Sequence, residues 1–263
     1  MSDSVAKQDN DLWSPLFKEL DAWASANQLA TFWWRDDDAV APGQKLDRLV
    51  DLTRHAGLLL AVIPARAEAA LASMLNDCAH VQVAQHGYAH TNHAPRGQGL
   101  GAWELGLHRG QAAVLADLAT GRAQLEELFG SKFLPVIVPP WNRIAHDLFQ
   151  PIASRGYRGI SAFGPREPGS EKYGLIVANA HCDPIRWKTG AKFAGEGKTI
   201  SQLVAHLEAR RTGQVDINEH TGFLTHHIDL DSDGWEFCAR LVAAIDSHPA
   251  AQWISAMSVF GDK

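Results

Sequence analysis

The chain has 263 residues, of which 46% are hydrophobic and 21% are charged, and its formal net charge is −6. This composition is typical of a globular protein, and the length suits one large α/β domain or two small ones. The negative charge argues against a nucleic-acid partner, which would need a basic face to neutralise phosphates. No run approaches the ~18 consecutive apolar residues of a membrane-spanning helix, so no membrane partner is expected.

Three cysteines, Cys78, Cys182 and Cys238, lie far apart in the sequence. An odd and sparse set of this kind predicts reduced thiols rather than a disulfide framework. Residues 1–11 are polar and lack the apolar core of a secretory signal. These features predict a cytoplasmic protein, and they leave its oligomeric state open.

Short apolar runs alternate with amphipathic stretches along the chain, and the 28 N-terminal residues form a helical extension to this pattern. Strands that alternate with helices predict βα units and a parallel sheet. Seven or eight units in one domain spanning residues 1–263 favour a (β/α) barrel. In chain order the predicted elements are helix 12–28, strand 29–34, helix 45–56, strand 58–63, helix 65–76, strand 81–84, helix 111–129, strand 134–138, helix 145–155, strands 157–162 and 174–178, helix 200–211, strand 222–225, helix 235–245 and strand 252–256.

Polar clusters come directly after five of the predicted strands. Because chemistry in a parallel barrel lies at the carboxyl ends of the strands, we expect these clusters to converge on one mouth. The Gly-rich segment 97–110 is expected to cover that mouth, with Glu104 reaching the substrate. The clusters are residues 35–38, 86–93, 141–143, 181–183 and 226–227.

His86 and His90 are four residues apart, in the segment His86-Gly-Tyr-Ala-His90. On a strand they would be roughly 13 Å apart, too far to share an ion. On a turn or short helix they lie on one face and could bind one metal together. His93 is close enough to support such a site, although a role in the loop itself is favoured for it.

Three adjacent aspartates, Asp36, Asp37 and Asp38, follow the apolar strand 29–34. Adjacent carboxylates repel one another unless a cation neutralises them. One aspartate is therefore expected to bind a metal and another to act as a general base. The pair could be Asp37 with Asp38 or, one residue earlier, Asp36 with Asp37.

In these motifs the sequence resembles the polysaccharide deacetylases, the NodB-homology or carbohydrate esterase 4 family. That family has an Asp-Asp pair after its first strand, then His-x-x-x-His, a Pro-Pro-aromatic loop, an Asp–Trp motif and a late Leu-x-His. The resemblance extends from about residue 29 to 227. The counterparts here are Arg35-Asp36-Asp37-Asp38-Ala39, His86-Gly-Tyr-Ala-His90, Pro139-Pro140-Trp141-Asn142, Asp183-Pro-Ile-Arg-Trp187 and Leu224-Thr-His226.

The resemblance implies a distorted (β/α) barrel of seven or eight units, with a divalent metal bound by Asp38, His86 and His90. Zinc is expected, while Co²⁺, Ni²⁺ and Mn²⁺ also suit such ligands. Asp37 would be the base and His226 the acid that protonates the leaving group. His227 is the alternative acid.

The resemblance also implies substrate contacts from the third and fourth motifs. Pro140 and Trp141 belong to the Pro-Pro-aromatic loop, and Asp183 and Trp187 to the Asp–Trp motif. The indoles could stack on a sugar ring. Asn142 could donate a hydrogen bond to the substrate or to a developing oxyanion, or cap the following helix.

Two positions depart from the family pattern. Val138 stands where the family has an arginine that pairs with the base, and Arg186 stands where it has an aspartate. We predict that the guanidinium now comes from Arg186, with Arg35 and Arg143 as alternatives.

The predicted function is a metal-dependent hydrolase that removes an acyl group from an N-acyl or O-acyl substrate, either a carbohydrate or a small soluble compound. Two alternatives remain. One is a non-catalytic protein that binds carbohydrates or metabolites on the same fold, and the other is a hydrolase of cyclic amides.

Overall fold

A computed structural model describes residues 2–261 and shows a parallel sheet surrounded by helices. The strands are β1 (Ala30–Ala39), β2 (Leu58–Val62), β3 (Val81–His86), β4 (Phe133–Val138), β5 (Gly159–Ile160), β6 (Ile176–Val177), β7 (Ile185–Arg186), β8 (Lys192–Phe193), β9 (Thr221–Thr225) and β10 (Ala251–Trp253). The helices are α1 (Ser2–Ser25), α2 (Gln44–Leu52), α3 (Ala69–Leu75), α4 (Gln111–Phe129), α5 (Phe149–Ala153), α6 (Glu196–Arg211), α7 (Ser232–Ser247) and α8 (Ala256–Phe260).

The main sheet is parallel and runs in the order β10-β1-β2-β3-β4-β5-β6, with β9 also paired to β1. Beyond β6, the chain returns to β9 and joins the two edges. His181 donates its backbone N–H to the Gly222 carbonyl at 2.7 Å, and Leu224 donates to Cys182 at 2.8 Å. The predicted barrel of βα units is therefore confirmed. It is distorted, because β5 and β6 have only two residues each and β7 pairs antiparallel with β8 outside the barrel.

Strand β1 has two buried faces. Side chains alternate along a strand, so Trp33, Arg35 and Asp37 share one face while Trp34 and Asp36 share the other. Trp33 packs inside the barrel against Phe260 of α8, which closes the amino-terminal end. Trp34 packs outward, in the core beneath α1, α6 and α7. Both indoles are 1% exposed and belong to the core of the protein.

Helix α1 lies on the outside of the barrel and packs against α6. Glu19 accepts two hydrogen bonds from Arg211, at 2.7 and 2.9 Å, and Trp13 stacks on Phe237 of α7. In the part of the chain that the structure describes, no helix combines the length and apolarity needed to cross a bilayer.

Several predicted boundaries were wrong. The first strand does not end before the aspartates but continues to Ala39, so the acidic residues belong to it. The predicted helix 145–155 is only α5, preceded by a short 3₁₀ turn at His146–Leu148. Pro151 lacks a backbone N–H and limits a longer helix there. The predicted strands 157–162 and 174–178 shorten to β5 and β6.

Candidate metal centre and active-site cleft

The carboxyl ends of the barrel strands surround a cavity of about 420 Å³. Most of the predicted site residues converge here, and Phe163, which the sequence motifs did not mark, joins them. The lining consists of Asp37, Asp38, His86, His90, Trp141, Asn142, Phe163, Asp183, Trp187 and His226.

Asp38 and the two histidines of the His-x-x-x-His motif meet at one point. Asp38 Oδ1 lies 3.1 Å from His86 Nε2 and 3.3 Å from His90 Nε2. Asp38, His86 and His90 each offer one ligand atom, and these three atoms all lie within 4.8 Å of one another. His86 ends β3 and His90 ends the following turn, so a turn rather than a helix brings the imidazoles together.

The protonation pattern of this group fits a cation. His86 Nδ1 lies 3.0 Å from the Val138 carbonyl oxygen and therefore carries a proton, which leaves a lone pair on Nε2 when the imidazole is neutral. In that neutral form the lone pair faces the buried Asp38 Oδ1 at 3.1 Å. Two facing lone pairs repel each other, and a divalent ion between them would remove the repulsion.

The charges of Asp38, His86 and His90 shift one another's pKa values. Burial raises the pKa of the Asp38 carboxyl, but the neighbouring imidazoles outweigh it and hold that pKa well below its ordinary value. Burial lowers the pKa of His86, but Asp37 and Asp38 outweigh it and raise that pKa. Burial and the nearby His86 lower the pKa of His90.

A carboxylate below the site holds the turn that carries His90. Glu104 is 1% exposed and accepts hydrogen bonds from the backbone N–H groups of Tyr88, Ala89 and Thr91, at 3.1, 2.8 and 3.3 Å. Gly87 has a φ of +57°, and a Cβ there would collide with Glu104 and Pro140. Glu104 therefore contacts the turn, not the cavity where we expected it to meet the substrate.

The backbone around the cavity is unusual. Of six non-glycine residues with positive φ among those described, four line the cavity: Asp38, His90, Trp141 and Asn142. Such conformations cost free energy and are typical of functional sites that hold their side chains in fixed directions. Pro140, next to Trp141, is buried and supports the turn.

Arg35 pairs with Asp37 on the inner face of β1, through Nε at 3.0 Å and Nη2 at 3.1 Å. The guanidinium is fully buried and also donates to the Ser161 hydroxyl at 2.7 Å and to Asn142 Oδ1 at 2.6 Å. Our expectation for Arg186 differs from the structure. That residue is exposed on the β7–β8 hairpin, and Arg35 makes the pairing with Asp37 instead.

Asp36 points to the other face of β1. It accepts hydrogen bonds from the Thr225 hydroxyl at 2.6 Å and from His227, through the backbone N–H at 2.9 Å and Nδ1 at 2.5 Å. Burial lowers the pKa of His227, but the charge of Asp36 outweighs it and raises that pKa. This pair is buried outside the cavity lining, as the alternation along the strand dictates.

His226 lines the same cavity as Asp38, His86 and His90. Its ring packs edge-on against Trp187, with centroids 4.7 Å apart. Trp187 Nε1 donates to Asp183 Oδ2 at 2.8 Å, and the Ile185 N–H donates to Asp183 Oδ1 at 2.8 Å. Burial raises the pKa of Asp183.

Two further candidates from the sequence, His93 and Arg143, lie outside this cavity. His93 is half-buried in the loop below the turn, where its backbone N–H donates to the Trp103 carbonyl at 2.8 Å, and burial lowers the pKa of its ring. Arg143 is exposed and donates to the Leu100 carbonyl at 3.0 Å, within the segment 97–110.

A second group of potential ligands lies in the protein interior and consists of His181, His206 and Glu219. His181 was expected at the mouth, but its Nε2 lies 3.1 Å from Glu219 Oε1, between α6 and β9. The two imidazoles stack with their centroids 3.4 Å apart and their planes 13° apart. His181 Nδ1 accepts a hydrogen bond from the Gly222 N–H at 2.9 Å, so Nε2 carries the proton and has no lone pair for a metal.

The sequence itself matches no protein-family model and no curated protein. A Mycobacterium smegmatis protein provisionally named a polysaccharide deacetylase has a similar structure, with a TM-score of 0.64 and 14% identity over 88% of this chain and 89% of that one. A family 4 acetyl xylan esterase from Clostridium thermocellum, solved with a cobalt ion, gives 0.52 and 11% over 88% and 90%. A mutant CE4-family pseudoenzyme with restored activity gives 0.55 and 15% over 89% and 68%. These similarities confirm the fold that the motifs implied.

Proposed function

We propose that this protein is a metal-dependent hydrolase that removes an acyl group, such as acetyl, from an N-acyl or O-acyl substrate. One observation supports this proposal above all. Asp38, His86 and His90 direct three ligand atoms to one point, and Asp37 and His226 line the same cavity.

Asp38, His86 and His90 would hold a divalent metal, with Zn²⁺ the first choice for two imidazoles and one carboxylate. When bound, such an ion polarises the acyl oxygen and increases the acidity of water. The fold is shared with an esterase solved with cobalt, which makes Co²⁺ a useful probe.

Asp37 is the proposed general base. It accepts a proton from the water whose oxygen attacks the acyl carbon. Arg35 contacts both oxygens of this carboxylate, Oδ1 through Nε and Oδ2 through Nη2, so the carboxylate is held in one orientation. Asp36 is a poor candidate for this role because Thr225 and His227 occupy its oxygens.

His226 is the proposed general acid. In its protonated form it donates a proton to the leaving nitrogen or oxygen as the bond to the acyl carbon breaks, releasing a carboxylate and an amine or alcohol. His227 is less suited because its Nδ1 is bonded to Asp36. The backbone N–H of Trp141, in its left-handed turn, is the proposed donor to the oxyanion.

The substrate is proposed to be a carbohydrate or another small N-acyl or O-acyl compound. Trp141 and Trp187 are 36% and 48% exposed and line the cavity, so they offer apolar faces on which a sugar ring could stack.

The test combines metal content with turnover of 4-nitrophenyl acetate and N-acetylglucosamine. We expect one divalent ion per chain and activity that a chelator removes and Zn²⁺ or Co²⁺ restores. Asp37→Asn should lower kcat by about 10²–10⁴-fold, the usual contribution of a general base, while retaining the metal. Arg186→Ala, an exposed arginine outside the cavity, is the control.

Stoichiometric metal without turnover of any acyl compound would contradict the proposed hydrolase and favour a binding protein on the same fold. Equal loss of activity in Asp37→Asn and Arg186→Ala would contradict the role of Asp37.

A further inference from the structure

A second cavity of about 490 Å³ lies beside the first, above the ends of β4, β5 and β6. The two cavities share two lining residues, Asn142 and Phe163, which form the boundary between them. Each cavity lies in the size range of small-molecule sites, and the second could accept a unit the size of a monosaccharide.

Phe163 is 42% exposed at this boundary, although it is a large apolar residue. Its backbone is fixed on both sides by the buried amide of Asn179. Asn179 Oδ1 accepts from the Ala162 N–H at 2.8 Å, and Asn179 Nδ2 donates to the Gly164 carbonyl at 2.8 Å. An exposed ring on a rigid backbone has little conformational entropy to lose on binding, which is typical of a ligand platform.

Asn142 lines both cavities, as Phe163 does, and its side chain has a fixed orientation. Its Oδ1 accepts from Arg35 at 2.6 Å, so the amide NH₂ group is the part directed away from Arg35. An amide donor next to an aromatic face suits the linkage between two polar units, which offers oxygen acceptors and C–H faces.

The two cavities are lined by different charged groups. The first cavity is lined by three carboxylates, Asp37, Asp38 and Asp183, and by three histidines, and it would also hold the divalent metal of the proposed function. The second cavity has Arg143 and Lys172 at its wall against one carboxylate, Glu167, over an apolar floor. The Arg143 guanidinium donates to backbone carbonyls and lies 5.8 Å from the Trp103 ring, so it is a positioned cation.

We propose that the second cavity binds the non-reacting end of an elongated acyl substrate, that this end carries a carboxylate, and that Phe163 is a specificity residue between the two halves. This proposal rests on the proposed function, because it assigns the first cavity to the acyl group. Arg143 and Lys172 at the wall of the second cavity would attract the acidic end of the substrate to it, while the acyl group enters the first cavity.

The test uses binding, which needs no turnover. The probe is glucuronate, with glucose as its neutral counterpart, added to protein carrying ¹⁵N-labelled indoles. Trp103 lines the second cavity and Trp187 the first. We expect glucuronate to shift the Trp103 indole signal, assigned with Trp103→Phe, more strongly than glucose does and at lower concentration than it shifts that of Trp187.

Charge reversal at the cavity wall separates specific from general electrostatics. Lys172→Glu should weaken glucuronate binding about fivefold, as expected for loss of one partly exposed ion pair. The matched control is Lys198→Glu, an exposed lysine at the start of α6 outside the cavity. The proposal is overturned if glucuronate leaves the Trp103 signal unchanged, if it shifts Trp187 first, or if both variants weaken binding equally.

A kinetic arm links the second cavity to the reaction. N-acetylglucosamine joined to glucuronate is compared with N-acetylglucosamine joined to glucose. Phe163→Ala and Lys172→Glu should each reduce the preference for the acidic disaccharide, measured as the ratio of the two kcat/KM values. Absence of all turnover would refute the proposed hydrolase and leave the binding result to decide on the second cavity.

Discussion

Among the described residues, two groups each combine two histidines with one carboxylate, and the structure gives them opposite properties. At the mouth, His86 is bonded through Nδ1 to a carbonyl oxygen and presents a lone pair to Asp38. In the interior, His181 accepts a backbone N–H through Nδ1 and presents a proton to Glu219. The two groups contain the same residue types. They differ in the partner of the histidine Nδ1, which determines whether Nε2 has a lone pair for a metal.

Ring geometry supports the same distinction. The imidazoles of His86 and His90 are tilted by 43°, so the planes of both rings can pass through one point. The rings of His181 and His206 are nearly parallel and stacked, so one ion cannot lie in both planes. The group at Asp38, His86 and His90 thus has the geometry that the proposed metal requires, whereas His181, His206 and Glu219 form a hydrogen-bonded clamp between α6, β9 and the segment before β7.

The largest effect is expected from Glu219→Ala. It would leave the Nε2 proton of His181 and the backbone N–H of Arg166 without their acceptor, and each buried donor left unsatisfied costs about 1–3 kcal/mol. Denaturant unfolding should show this loss of stability while metal content stays at the wild-type level. The exposed Glu208→Ala on α6 should change stability by less than about 0.5 kcal/mol. Loss of metal in Glu219→Ala, at a temperature where it is folded, would break the comparison.

His86→Ala and His206→Ala test the same distinction from the metal side. Removing His86 should weaken divalent-metal binding by about 100-fold or more. His86 is itself a proposed ligand, and even residues that only hydrogen-bond a ligand contribute about 10–100-fold. His206→Ala should leave the affinity unchanged and lower only stability. Titration with Co²⁺, followed by absorbance and by circular dichroism for folding, measures both. Equal affinities in the two variants would contradict the assignment.

The clamp also predicts a pH dependence. Burial and the nearby His206 and Arg210 lower the pKa of His181 to about 4, although Glu219 acts in the opposite direction. Below its unfolded pKa of about 6.5, the unfolded state takes up a proton that the native state refuses. The free energy of unfolding should therefore fall by about 1.4 kcal/mol per pH unit between 6.5 and 4 from this group, and nothing from it should change above 6.5.

Denaturant curves at several pH values measure this slope. His181→Asn, whose side-chain oxygen can still accept the Gly222 N–H, should flatten it by about one proton. The exposed His146→Asn should not. A wild-type stability that is constant from pH 6.5 to 4 would contradict the account.

The smallest effect is expected from Glu104→Gln. The amide would place N–H groups against the N–H groups of the His90 turn, so the turn should loosen and metal affinity fall about tenfold. Calorimetric titration with Zn²⁺ measures the change. An unchanged affinity would show that the turn holds His90 without this carboxylate.

Much of the fold and site followed from local patterns in the sequence. The alternation of apolar runs and amphipathic stretches predicted the barrel, and the His-x-x-x-His spacing together with the aspartates predicted a shared metal site. The choice of Asp38 among the three aspartates came from the resemblance to the polysaccharide deacetylases. Once β1 is known to continue to Ala39, side-chain alternation alone places Asp37 inside the barrel and Asp36 outside.

Other features depend on contacts between distant segments and left no local signal. Glu104 is a single acid in a Gly-rich loop, and nothing near it in the sequence indicates that it binds the turn 13 to 16 residues earlier. His181 follows a strand as the other site residues do, but the chain turns its ring toward α6. Phe163 belongs to no motif, and only the folded arrangement brings it into both cavities.

The position of Arg35 has a consequence for how such proteins diverge. In this chain Asp37, the proposed base, and Arg35, the cation that pairs with it, lie two residues apart on one strand, and among the described residues of the loop after β4 it is Asn142 that contacts the guanidinium. That loop is thus free to change without loss of the pairing, and Val138 can stand where an arginine would otherwise be required. Relatives with the same rearrangement would be overlooked by any motif that demands a basic residue before the paired prolines.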